Sequence, residues 1–347
     1  MHWNRSILFI FLSVGLLSAC SDGPTEPPAP ETTEVGVVVG SVDLSLTIFD
    51  VEDPTQRTTV GLGADGSPVT LAVHDNLAAV PLGVVPAVAV VDLRTAAVVR
   101  TVALPEGSGA TGAAFVNDSI LLVANPNLNS VTPVNVRSGA AGGEIAVGRF
   151  PQGIVVQGSR AYVLNAELAG WAPDGPSTVS VIDTGSMSVI ETVTLSGQNA
   201  GRGVVGPDSR VYVLQAGNWG AGDGSLSVVD PASLKESSHH AGFGDFPGSL
   251  AFAPDGILFV GGYGFGLISW DPAVRQFRRG VDNPIAPGGT PSVSGVAFDS
   301  QGRLYTLAPD CENPSVVNRL DGAFNVETTI PVGICPFAIA FAEVEAS

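Results

Sequence analysis

A short apolar strand ending in a carboxylate or an amide returns seven times along this chain, and that repetition restricts the fold more than any other feature. The copies end at Asp50, Asp92, Asn135, Asp183, Asp230, Asp271 and Asp321, at spacings of 41 to 50 residues. A second strand lies upstream of each, at 35–39, 77–80, 120–124, 161–165, 211–215, 257–261 and 304–308. A third precedes that one, as in 153–156 and 250–252, and a fourth follows the carboxylate, as in 189–195. Pro254-Asp255-Gly256 and Ser300-Gln301-Gly302 supply tight turns between the first two strands.

Four short antiparallel strands recurring at this period describe the blade of a β-propeller, so the predicted fold is all-β with seven blades. Only 14% of residues are charged and 43 of 347 are glycine, which agrees with many short strands and turns, and no long amphipathic helix interrupts them. A ring of blades must close. Residues 35–62 supply strands two, three and four of a blade and lack the innermost one, while Pro336 to Phe341, aligned with Pro247 to Phe252, supply it at the other end of the chain. The final blade is therefore expected to be shared between the termini. Cys311, in a loop between strands two and three, and Cys335, just before the closing strand, fall on one face of such a ring and are expected to form a disulfide in an oxidising compartment.

Tyr162-Val163-Leu164-Asn165 followed by Val179 to Asp183 resembles the YVTN-type, YncE-like propeller repeats. Blades three to five carry the pattern most fully; blades one and two depart from it, with Ala78-Ala79-Val80-Pro81 and Leu121-Leu122-Val123-Ala124 in place of the tyrosine-led strand. The resemblance spans residue 35 to the C-terminus and implies a fold, not an activity.

The N-terminus reads as an address. Arg5 precedes an apolar run, Ile7 to Leu17, that suits a signal peptide and is too short to span a bilayer. It ends in Leu17-Ser18-Ala19-Cys20, which resembles the lipobox of bacterial lipoproteins and implies cleavage after residue 19 with lipidation of Cys20. The alternative is an ordinary secretory peptide with an incidental cysteine. Ser21 after Cys20 favours the outer membrane, with the body facing the periplasm or the cell surface. Residues 20–34, with four prolines and almost nothing apolar, are expected to be an extended tether, and 35–347 the propeller. Removing the first nineteen residues takes away Arg5 alone among the charges, leaving 14 basic and 33 acidic residues, a net charge of −19. Such a surface repels nucleic acid.

Catalytic signals are sparse. Gly61 to Gly66 fits a dinucleotide fingerprint by letter but aligns with a loop joining two blades, outside any strand-turn-helix context. His239 and His240 are adjacent on a presumed outer strand, so their side chains point to opposite faces and cannot share a metal. The aspartates ending the third strands are expected to cap the following turns. No catalytic residue, metal or cofactor is assigned.

One asymmetry stands out. The loops between strands two and three are enlarged in blades three and four, where 166–178 carries Trp171 and Asp174 and 216–225 carries Asn218, Trp219 and Asp223. Arg149 and Arg202, in the segments leading into those blades, and Asn165 and Gln215, at the ends of their second strands, should lie nearby. These nine residues form the candidate ligand-binding face, unless the tryptophans fold back over their own blades. The functional expectation is a monomeric, envelope-anchored, non-enzymatic binding or scaffold module for an unidentified protein, glycan or small molecule, held to the membrane through Cys20. The alternative is an enzyme: related propellers include lactonases, lyases and dehydrogenase subunits, and Asn125, Asn165, Gln215 and Asp245 would be its polar groups.

Overall fold

Each repeat buries its middle. In blade 3, residues 161–165 of the second strand and 179–182 of the third are buried on both sides, whereas the fourth, Ser188–Thr194, is mostly exposed. Side chains alternate across a strand, so two-sided burial requires a neighbouring sheet against each face. The second and third strands therefore read as nearly continuous apolar runs, and the fourth reads as polar.

The structure, a computed structural model, describes residues 31–345; the expected signal peptide, Cys20 and the tether up to residue 30 lie outside the described residues. Seven sheets, each running from an innermost first strand to an outermost fourth, make up the propeller. Blades 1 to 6 occupy 72–103, 113–146, 151–194, 200–241, 247–279 and 295–334. Blade 7 joins Pro336–Glu345 to Thr32–Gly40, Ser45–Asp50 and Arg57–Gly61. The expected closure by a shared blade is thus present. Antiparallel order puts the connections between blades and the loops between strands two and three on one face, here called the upper face. The turns between strands one and two and between three and four lie on the lower face.

Apolar clusters cross every seam described around blade 7. Val37, Val39, Leu46 and Ile48 pack with Ala78, Val80, Ala89 and Val91 of blade 1. On the other side Val38, Phe49 and Val51 pack with Tyr305, Leu307, Val317 and Ile330 of blade 6. Gly36 is required there by close approach: a Cβ would stand 2.1 Å from Cζ of the buried Phe49 ring.

The seam between blades 6 and 7 is clamped at both faces. Above, Cys311 and Cys335 form the expected disulfide, and the Cys335 amide donates to Asp310 O at 2.7 Å. Below, the Ser300 amide and hydroxyl donate to the Glu34 carboxylate, and Arg303 Nη2 pairs with Glu52 at 2.7 Å while its Nε bonds the buried Asp299. Glu34 belongs to this clamp and to a strand that starts at Thr32, so the expected tether boundary at residue 34 is three residues too late. Blade 2 also departs from the pattern, because its outer strand is broken into Ala140–Ala141 and Ile145–Ala146. Its partner strand contains Pro133, which has no N–H to give to the ladder.

All seven residues that end the third strands cap the turn that follows. Asp183 accepts from the Ser186 amide at 2.8 Å, Asp321 from the amides of Ala323 and Asn325 at 2.9 and 2.8 Å, and Asn135 in blade 2 from those of Arg137 and Ser138 at 3.0 and 2.8 Å. Asp50, Asp92, Asp230 and Asp271 do the same.

Candidate functional site

The two enlarged loops rise from the upper face of adjacent blades, and their tryptophans do not fold back. Trp171 is 88% exposed and Trp219 is 76% exposed. Trp171 sits in a small hairpin, Leu168–Ala169 paired with Ala172–Pro173, and meets the Phe150 ring edge-on at 5.9 Å. Trp219 meets Phe246 in the same way at 5.0 Å. Phe150 and Phe246 hold corresponding places in the segments leading into blades 3 and 5, both with positive φ.

The polar candidates brace these loops. Arg149 donates through Nε to Glu167 at 3.2 Å and through Nη1 to Asp174 at 2.9 Å, tying the Trp171 hairpin to the segment before blade 3. Those carboxylates push the Arg149 guanidinium above its ordinary value, the Asp174 hydrogen bond being the larger cause. Around Trp219, Asp223 accepts from the Asn218 amide at 2.8 Å and from its Nδ2 at 2.9 Å, and Asp245 accepts from the Gly220 amide at 2.8 Å. Gly217 has φ +68°, and a Cβ there would reach within 2.0 Å of Asp223 Oδ1, so both conformation and space demand glycine.

Asn165 and Gln215 are fully buried inside their own blades. Asn165 Nδ2 donates to the hydroxyls of Thr178 and Ser180, each at 3.0 Å. Gln215 Oε1 accepts from Ser227 at 2.7 Å and Ser225 at 3.3 Å. Asn125 of blade 2 repeats the device with Ser130 and Thr132. These amides tie the upper ends of strands two and three together and offer nothing to the outer surface.

Arg202 separates from the rest by pointing into the axis. The first strands of the blades line an axial channel of about 230 Å³ that includes Thr70, Gly112, Gly153, Arg202, Ser249 and Ala338. The ladder registers make these places equivalent: Arg202 opposes Leu214 as Gly153 opposes Leu164, Ser249 opposes Gly261, Gly295 opposes Leu307 and Ala338 opposes Val39. Thr70 and Gly112 hold the corresponding positions in blades 1 and 2. Six of the seven residues are small and the seventh is an arginine. Next to it a pocket of about 250 Å³ is lined by Gln152, Asn199, Tyr263, Leu214, Phe246 and Phe337, among others. Sequence reasoning missed Tyr263, Phe246 and Phe337; the solitary large residue at the Arg202 position becomes a signal only once the registers are known.

Histidines play other parts. His239 Nδ1 lies 3.2 Å from Ser227 Oγ, whereas the His240 ring meets Trp270 of blade 5 at a tilt of 48° with centroids 4.9 Å apart, so the pair does diverge. His74, Asp75 and Asp118 form the one cluster with metal-ligand spacing among the described residues. It is exposed on the lower face, where His74 Nε2 is 3.1 Å from Asp118 and Arg137 approaches the same carboxylate at 4.0 Å.

No protein-family model matches the sequence, and no curated protein matches it. Among solved structures, the chain is similar to hydrazine synthase of Kuenenia stuttgartiensis, with a TM-score of 0.63 and 18% identity over 78% of this chain and 88% of that one. It is also similar to the WD40 β-propeller domain of Doa1, with a TM-score of 0.60 and 12% identity over 80% of this chain and 90% of that one. At such identities the likeness carries the propeller fold alone.

Proposed function

We propose that this chain is an envelope lipoprotein of the YVTN-type, YncE-like kind, anchored at Cys20, whose propeller is a non-enzymatic binding module docking a protein or glycan on its upper face. The observation that supports this reading is the pair of outward tryptophans on braced loops. Exposing two indoles brings the fold no burial, and the ion pairs of Arg149 and the bonds of Asp223 and Asp245 hold their loops in place. Rigid, flat apolar groups on adjacent blades suit a partner that covers both, since aromatic anchors carry a large share of interface energy.

The test pairs W171A/W219A with wild type. Both side chains are exposed, so the double variant should melt within a few degrees of wild type. Presented with solubilised envelope proteins and purified envelope glycans, wild type should retain a defined partner that the variant binds at least about thirty-fold more weakly, the effect of losing a hot spot of about 2 kcal/mol. Equal retention by the two proteins removes the surface assignment. Anchoring is tested separately, by metabolic labelling with a fatty-acid analogue: label should enter wild type and be lost from C20S.

A further inference from the structure

The axial arginine calls for a different ligand from the tryptophan face. Its six equivalents around the ring are Thr70, Gly112, Gly153, Ser249, Gly295 and Ala338, residues whose small side chains let seven strands converge on the axis. A guanidinium at the seventh place is densely enclosed by protein while staying partly open to the funnel. Its bonds are to the carbonyl oxygens of Gly201 at 3.1 Å and Val69 at 3.5 Å, the second reaching across the axis to blade 1. Five N–H groups are available to an arginine, and the other three have no partner among the described residues. Among the described residues no carboxylate stands within ion-pair distance either, although the chain as a whole has 33 acidic residues. Buried charges are ordinarily paired, so a cation left without an anion in a strongly acidic protein is conspicuous.

The pocket beside it has the right complement. Tyr263 is a second donor without a protein partner among the described residues, and burial pushes its phenol up to about 12, which keeps the proton on the oxygen at neutral pH. Leu214, Phe246 and Phe337 supply apolar walls, and Gln152 and Asn199 bond each other at 3.1 Å at the rim. About 250 Å³ is below the roughly 300–1,000 Å³ of drug-sized sites, so the occupant is small.

We propose that the axial pocket binds a small organic carboxylate, the carboxylate forked on the Arg202 guanidinium and bonded by the Tyr263 hydroxyl, with its apolar body against Phe246, Phe337 and Leu214. The planar fork of arginine matches a carboxylate in geometry as well as charge, whereas inorganic anions would leave the apolar walls unused. Desolvation also draws the Arg202 guanidinium below its ordinary value, and an entering anion relieves that cost. The site does not rest on the tryptophan surface, and either can fail alone.

Benzoate, with neutral benzamide of the same shape as control, tests this on the full mature protein by calorimetry and thermal melting. Wild type should bind benzoate at least tenfold more tightly than benzamide, and R202M should abolish the difference. R202M should also melt at or above the wild-type temperature in the absence of ligand, because it removes an unpaired buried charge. Should R202M fail to fold, Y263F, which deletes one hydroxyl, should weaken benzoate about threefold to tenfold and leave benzamide unchanged. Equal affinity for the two probes, or no binding of either, overturns the proposal. So does a preference for inorganic phosphate over benzoate. R202M melting well below wild type, with no benzoate binding by wild type, would make Arg202 a structural plug of the channel.

Discussion

At Asp183 and Asp321 a single carboxylate caps a turn, and its charge makes that cap sensitive to pH. Backbone N–H groups, chiefly those of Ser186 and Asn325, hold the two carboxyls below the ordinary aspartate value. A carboxyl depressed in the folded state contributes stability that is complete above its unfolded value of about 3.9 and is lost as pH falls through the folded value. Melting temperature should therefore drop steeply below about pH 4. Asn135 performs the same cap in blade 2 without a charge, so D183N/D321N should fold and show a shallower acid slope; an unchanged slope would remove these groups from the acid transition. The caps were legible in the sequence because they recur at one place in every repeat. The candidate binding residues were legible only in part. Arg149, Asp174, Asn218 and Asp223 look like ligands in a loop-rich stretch, yet they bond one another. Asn165 and Gln215 end their strands where a ligand could reach them in principle, but Gly148 and Gly197 come close over their amides and close them off. Exposure depends on what packs from other repeats, which no single repeat records.

Among the elements, the closing strand carries the greatest responsibility. Pro336–Glu345 pairs with Thr32–Gly40 over nine positions, from Thr32 opposite Glu345 to Gly40 opposite Pro336, and its Ala342 and Val344 are buried toward blade 1. This closure was readable from the repeat itself, because the N-terminal segment held three strands of a blade and the C-terminal one held the fourth. The broken outer strand of blade 2 was not readable, since its apolar pattern resembles the others and Pro133 interrupts it through a missing donor. At the upper end of the seam the disulfide closes a separation of 24 residues, which the chain-entropy relation values at about 3.5 kcal/mol. Reduction should lower the melting temperature by a few degrees, and C311S/C335S should melt at that lower temperature with or without reductant. A variant indistinguishable from oxidised wild type would mean that the lower clamp, with Glu34 on Ser300 and Arg303 between Glu52 and Asp299, holds the seam unaided.

For the molecule as a whole, the ring is closed by one blade made from both ends of the chain. Joining Glu345 to Thr32 by a short turn would convert blade 7 into an ordinary contiguous blade, because the two residues already face each other at the end of a ladder. Such a permutant opened inside blade 3, between its second and third strands, keeps a shared blade and should melt near wild type. One opened at 196–198, between blades 3 and 4, keeps none and should melt clearly lower and less sharply; equal melting of the two would show that packing between blades suffices. The same ladder also sets an orientation. Every second strand runs from the lower face to the upper, so Thr32, at the start of the one in blade 7, marks a point of attachment on the underside of the disc. Both indoles and the Arg202 pocket belong to the opposite, upper side, so the strand that begins at Thr32 and the proposed binding surfaces do not compete for one face.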